Sequence, residues 1–266
     1  MVKHIGAGLA AVALLGGCIF VVDLSGLSGG ASGDAGPVDA ADASPEGGRD
    51  GEADGSPSQP FSCDGASLCD TFEAEALSPP WTRSYASPGA SVRIEEVEGA
   101  PSPGRALLAF VPDIDGFAYV ARDYLPAPRA IASARLSFSV FPEKLDATGR
   151  ACIGVFVFGE GTATQNLVRI YAGAAGATLE ERVGGVSRTE VLSAGPPVGR
   201  WSHVSFSLAS GRLRAELDGE PVLDVLAAQG WTSSNALRVA VGISFGLEET
   251  SEGFTFRFDN VRFEGN

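Results

Sequence analysis

Basic residues are scarce in this chain: 19 Lys and Arg stand against 33 Asp and Glu, for a formal net charge of −14. Nowhere do the bases gather into a stripe, so the electrostatic footprint of a nucleic-acid binder is missing. The same scarcity argues against direct contact with anionic lipid headgroups. Histidine is nearly absent, with only His4 and His203. That excludes a multi-histidine metal site and leaves any histidine-based triad dependent on His203. The cysteines form no Cys-x-x-Cys and no knuckle spacing, which removes a redox dithiol and a zinc knuckle. No window of helical length carries a 3.6-residue apolar period.

The apolar residues repeat every second position instead. Leu136, Phe138 and Val140 alternate with Arg135, Ser137 and Ser139. Val204, Phe206 and Leu208 alternate with His203, Ser205 and Ser207, and Leu213, Ala215 and Leu217 with Arg212, Arg214 and Glu216. Val239, Val241 and Ile243 repeat the pattern. These are half-buried strands, about a dozen in all, which predicts an all-β fold of two packed antiparallel sheets. In the last strand Phe256 and Phe258 have the opposite parity to Val261 and Phe263. A bulge at Asp259-Asn260 would return both sets to the core.

The amino-terminal region has a different character. Lys3 and His4 precede an apolar run from Ile5 to Leu15, and Leu15-Gly16-Gly17-Cys18 resembles the lipobox of bacterial lipoproteins. The resemblance implies a signal peptide over residues 1–17, lipidation of Cys18 and, with Ile19 following, residence at the outer membrane or cell surface. A retained signal anchor or an ordinary cleaved signal is the alternative. Residues 18–60 are then a lipidated acidic tether of Gly, Ala, Ser, Pro and Asp. They carry too little apolar area to offset chain entropy, and their coil-like span is on the order of 35 Å. Residues 61–266 form the body, one sizeable core. There Cys63 and Cys69 are close enough to close a small loop in an oxidising compartment, with a bridge from either to Cys152 as the competing arrangement.

Two motifs carry a fold resemblance. Gly199-Arg200-Trp201-Ser202-His203-Val204, followed by Leu213 to Glu220 with its Asp218-Gly219 turn, resembles the hairpin of laminin-G and concanavalin A-like domains. Phe258-Asp259-Asn260-Val261-Arg262-Phe263 is similar to the closing strand of that superfamily, and Cys69-Asp70-Thr71-Phe72-Glu73 to its opening. The resemblance implies a concanavalin A-like jelly roll, a fold that hosts lectins, glycanases, lyases and adhesion modules. It also implies a structural Ca²⁺ shared by Glu73 and Asp259; the plainer reading has Asp259 holding backbone donors at its bulge and Glu73 solvated.

Candidate chemistry is sparse. Glu216-Leu217-Asp218-Gly219-Glu220 formally resembles the E-x-D-x-E signature of laminarinase-like hydrolases, which requires one unbroken strand. Asp218-Gly219 is a hairpin-turn dipeptide and Pro221 follows, so the segment reads as a turn. A carbohydrate platform needs aromatics beside polar groups on one sheet face. Tyr119 with Arg122, Phe156, Arg169 with Tyr171, and Trp231 are the candidates; Phe156 and Phe158 read more simply as inter-sheet core, since a central strand can be apolar on both faces, and Trp81 and Trp231 read equally as plugs over the sheet ends.

The expectation is a cell-surface lipoprotein with a non-catalytic domain. Its partner is a glycan or another cell-envelope component, and it meets the membrane only through its lipid. One alternative is a glycan-cleaving enzyme, a hydrolase or lyase, with carboxylates such as Glu160, Glu180 or Glu181. The other is a protein-binding envelope scaffold.

Overall fold

The structure is a computed structural model. It describes residues 61–265 except 78–79, 113–115, 125–132, 146, 148, 159–165, 232–236 and 247–252. The leader, Cys18, the tether and Glu160 lie outside the described residues.

Period-two patterning resolves into fifteen strands among the described residues, all antiparallel neighbours in two sheets. The eight-stranded sheet runs β13 (Glu220–Leu226), β12 (Arg212–Leu217), β11 (Ser202–Ala209), β6 (Ala134–Lys144), β15 (Phe254–Gly265), β4 (Gly104–Val111) and β3 (Ser91–Val97). Its remaining strand, β1 (Leu68–Asp70), pairs with the second half of β15. The seven-stranded sheet runs β10 (Val186–Val191), β9 (Gly176–Val183), β8 (Asn166–Gly173), β7 (Arg150–Phe158), β14 (Leu237–Gly246), β5 (Phe117–Tyr124) and β2 (Arg83–Ala86).

The sheets pack face to face on an aromatic core, because alternate residues of most strands are apolar and need a surface away from water. Phe156 of the seven-stranded sheet stacks on Phe206 of the eight-stranded one, ring centroids 5.2 Å apart and 14° from parallel. Phe138 meets Phe258 edge-on. Gly154 lies under this stack; a Cβ there would fall 2.7 Å from Phe138 Cε1, so only glycine admits the ring.

The β15 bulge is present. Register against β6 shifts between Asp259 and Arg262, and Asn260 takes the left-handed conformation at φ 50°. Phe256, Phe258, Val261 and Phe263 are all fully buried as a result. Asp218 and Gly219, at φ 53° and 86°, close the β12–β13 hairpin, so Glu216 and Glu220 belong to different strands. Two-residue turns with both residues at positive φ match the strand twist. Cys63 and Cys69 are bonded, with Cα atoms 5.5 Å apart, and Cys152 is a buried free thiol.

Candidate binding face on the seven-stranded sheet

Each sheet turns one face to the core and one outward. On the outer face of the eight-stranded sheet the alternating polar residues form ion pairs. Arg135 reaches Glu216 at 2.8 Å, with Ser205 donating to the same carboxylate. Arg257 lies between Glu95 and Glu143. His203 belongs to this face, opposite Ser139, and its backbone N–H donates to Asp218. Phe141 and the adjoining Trp201 pack 5.5 Å apart there.

The outer face of the seven-stranded sheet differs, because it carries a second apolar cluster that includes Tyr85, Phe117, Tyr119 and Tyr171. Register fixes its membership. Arg169 on β8 lies across from Glu180 on β9 and Val155 on β7; Tyr171 lies across from Thr178 and Cys152. Tyr119 on β5 lies across from Gly242 on β14 and Tyr85 on β2. A Cβ at Gly242 would fall 2.5 Å from the Ala118 carbonyl oxygen, so glycine is what lets β14 approach β5 beside Tyr119.

Two polar groupings stand on this face. In the first, Glu180 takes the Arg169 guanidinium through Nε at 2.9 Å and a second nitrogen at 2.8 Å, while the Tyr171 hydroxyl donates to it at 3.1 Å. The Arg169 guanidinium also lies over the Tyr171 ring, 5.1 Å from its centroid. Burial, with the Cys152 thiol and the Glu180 charge nearby, drives the Tyr171 phenol well above its ordinary range, so it stays protonated. The Cys152 thiol is likewise pushed up, chiefly by burial, and acts as apolar floor.

In the second grouping, Asp123 pairs with the fully buried Arg238 of β14 and with Arg83 Nε at 2.8 Å. Arg83 also donates to the Tyr85 hydroxyl at 2.9 Å. Tyr85, Tyr119 and Phe117 form a ring series with centroids 5.0 and 6.0 Å apart. Tyr119 and Tyr171 are buried, whereas Tyr85, Phe117 and Arg169 are half-buried and Arg83 is exposed. A ligand on this face therefore meets Arg83, Tyr85, Phe117 and Arg169, with the two buried tyrosines beneath. Along one row Arg169 on β8 and Arg83 on β2 are four strands apart, about 20 Å at ordinary strand spacing.

Of the six ligand-binding candidates from the sequence, only Tyr119, Arg169 and Tyr171 share this face. Phe156 does not line it: its ring lies between the sheets, fully buried. Arg122 has the inward parity, opposite Val239, and donates to the Pro80 carbonyl at 2.7 Å. Trp231 packs edge-on against Phe158, and its Nε1–H donates to Glu181 at 2.5 Å. Glu181, 1 % exposed, has the parity opposite to Glu180 and also binds Arg188 and the Ala228 N–H. These two neighbours therefore cannot converge on one ligand. Trp81 donates to Asp70 at 2.6 Å and stacks on Phe72. Tyr85, Arg83 and Phe117 were not singled out by sequence. Their signal was the register of the short strand β2 against β5, visible only once the strands pair.

At the bulge, one Asp259 oxygen accepts the Ser102 N–H at 2.6 Å and the other the Asn260 N–H at 2.7 Å. Glu73 is exposed, its Oε2 3.5 Å from where a Gly104 Cβ would lie. Among the described residues no three His, Cys, Asp or Glu side chains gather as a metal cluster. As arranged, Asp259 is held by N–H donors and does not fit a calcium cage of six to eight oxygens. Burial pushes the Asp259 carboxyl up to about 6 against the pull of those donors, and the Glu73 charge adds to the rise. The folded state thus holds a proton that the unfolded chain has released above about pH 4. This group's contribution to stability accordingly falls as pH rises from about 4 to 6. Carboxyl-carbon NMR is expected to give Asp259 a midpoint about two units above an ordinary aspartate; a midpoint below 4 would contradict the assignment.

No protein-family profile and no curated protein matches this chain. Solved structures do. "Cellulose induced protein, Cip1" aligns with a TM-score of 0.53 and 10% identity over 74% of this chain and 96% of that one. The alginate lyase vAL-1 from Chlorella virus aligns at 0.49 and 13% identity, over 66% and 89%. A sialidase aligns at 0.47 and 16% identity over 75% of this chain, which spans 18% of the sialidase. The likeness is one of fold: an antiparallel jelly-roll sandwich of the concanavalin A-like kind.

Proposed function

We propose that the domain binds a carbohydrate, without cleaving it, along the outer face of the seven-stranded sheet. The observation that carries this reading is the pairing of half-buried rings at Tyr85 and Phe117 with Arg83 and Arg169 on one face. Aromatic faces pack on sugar C–H groups while arginines hold hydroxyl or carboxylate oxygens. Tyr119 and Tyr171 form the second layer. The distance of about 20 Å between Arg169 and Arg83 favours an oligosaccharide lying across the strands over a single sugar ring.

Binding without cleavage is supported by how the carboxylates are engaged. Glycoside hydrolysis usually needs two carboxyl groups about 5–10 Å apart. On this face Glu180 is tied to Arg169 and Tyr171, and Asp123, about 20 Å away, to two arginines. The Tyr171 phenol stays protonated and donates to Glu180, and His203 is on the far side of the sandwich. In this reading the domain works at the outer membrane or cell surface, carried by lipid on Cys18. The bonded Cys63–Cys69 pair supports an oxidising compartment.

A glycan array probed with the full chain tests the reading. Retention of one class of polysaccharide is expected, without release of reducing ends. Calcium and chelator should give the same result, since N–H donors hold both Asp259 oxygens. Silence on every glycan in both conditions would overturn the reading in favour of a protein-binding scaffold.

A further inference from the structure

Among the described residues, the β10 edge of the seven-stranded sheet has no strand beside it along Ser187–Val191; only at Ser193 does it meet β13, where the Ser193 N–H donates to the Val222 carbonyl at 3.3 Å. Gly184 and Gly185, at φ 58° and 87°, make a two-residue turn between Val183 and Val186. Such a turn makes Val183–Val186 a hydrogen-bonded pair, and alternation makes Arg188 and Glu190 ladder positions too. The Leu192 N–H bond to the Ala177 carbonyl, at 3.0 Å, continues that alternation. It follows that Ser187, Thr189 and Val191 aim their backbone N–H and C=O groups away from β9, along the open edge. The strand ends expose apolar surface as well: Val186 and Val191 are 75% and 78% exposed, the two highest values among the large hydrophobics described.

Sheet edges in soluble proteins are normally blunted with charge, proline or short length. Here β13 carries Pro221 and Asp224, β3 carries Arg93, Glu95 and Glu96, and β2 has four residues. By contrast β10 has no proline or lysine, and its charged pair, Arg188 and Glu190, is spaced symmetrically about Thr189.

We propose that β10 pairs antiparallel with β10 of a second copy of this chain, about a twofold axis at Thr189. In that register Thr189 faces Thr189, Ser187 faces Val191, and Arg188 of each copy faces Glu190 of the other. All outward backbone groups of Ser187, Thr189 and Val191 find partners at once, and the threonine pair is itself favourable across strands. Arg188, held on its own chain by Glu181 at 2.8 Å, Glu190 at 3.3 Å and the Leu226 carbonyl at 2.6 Å, gains a third glutamate. A six-residue edge buries little area, so the association is weak and concentration-dependent. The twofold lies perpendicular to the joined sheet, and both outer faces therefore point the same way. On the glycan reading, one polysaccharide then engages two sites with the gain that linkage confers; the pairing itself does not depend on that reading.

Sedimentation velocity of the full chain, at on the order of 100 µM, should give a mass approaching twice the monomer's. Thr189→Pro removes an N–H that β9 does not use, so the monomer keeps its ladder and the mass should halve. Thr189→Lys places two cations directly opposite one another at the twofold and should also give a monomer. Val198→Lys alters an exposed valine off this edge and should leave the dimer intact. Should Thr189→Pro lose its β-sheet circular-dichroism signal, Thr189→Lys decides. A monomeric wild type at that concentration, or a dimer that survives every folded β10 variant, overturns the proposal.

Discussion

Glu180→Ala is expected to lower stability by about 3 kcal/mol, the low end of the cost of stranding a buried charge. One Glu180 oxygen accepts two Arg169 nitrogens and the Tyr171 hydroxyl, all within 3.1 Å. Without it a guanidinium with 21 % side-chain exposure and a fully buried phenol lose their acceptor together. The loss should appear as a lower urea midpoint at an unchanged slope. Replacing the pair by Arg169→Met and Glu180→Leu should recover most of it, because well-packed apolar groups often substitute for a buried ion pair without penalty. A single-variant loss under about 0.5 kcal/mol would mean that the pair is solvated, in the range of surface salt bridges.

Phe156→Ala tests the other side of the same sheet. Its ring touches Phe206 at 5.2 Å, Phe158 at 5.6 Å and Phe263 at 6.5 Å between centroids, joining both sheets at the centre of the core. Truncation leaves a cavity that neighbouring rings cannot fill, at about 3–5 kcal/mol. For a domain of this size the midpoint of thermal unfolding should drop by about 10 °C. Binding by the fraction that remains folded should be unchanged, since Phe156 does not reach the outer face. A shift of less than about 3 °C would contradict its placement in the core.

The contrast between these residues shows which parts of the protein are legible from sequence. Strands with a polar alternate, such as Leu136 to Val140 or Val204 to Leu208, declare both their conformation and their inward face. The bulge at Asp259-Asn260 was legible because the parity of buried aromatics breaks there. The run from Ala151 to Phe158 gave no such signal, being apolar on both faces. Its register slips between Cys152 and Gly154, so Phe156 points inward although its neighbours Val155 and Val157 line the outer face. Trp231 was ambiguous because the carboxylate that holds it, Glu181, is 50 residues away. Strand β2 has too few apolar residues to register as a period, and Tyr85 emerges only through its pairing with Tyr119.

The most direct test of glycan recognition on the seven-stranded sheet compares two exposed-face aromatics on opposite sides of the sandwich. Binding of the full chain to its best array polysaccharide would be titrated for wild type, Tyr85→Ala and Trp201→Ala. Tyr85→Ala is expected to weaken binding about tenfold, equivalent to about 1.4 kcal/mol for a lost ring–sugar contact, and Trp201→Ala to leave it within about twofold. Loss of binding with Trp201→Ala and none with Tyr85→Ala would contradict the account and move the site to the eight-stranded sheet.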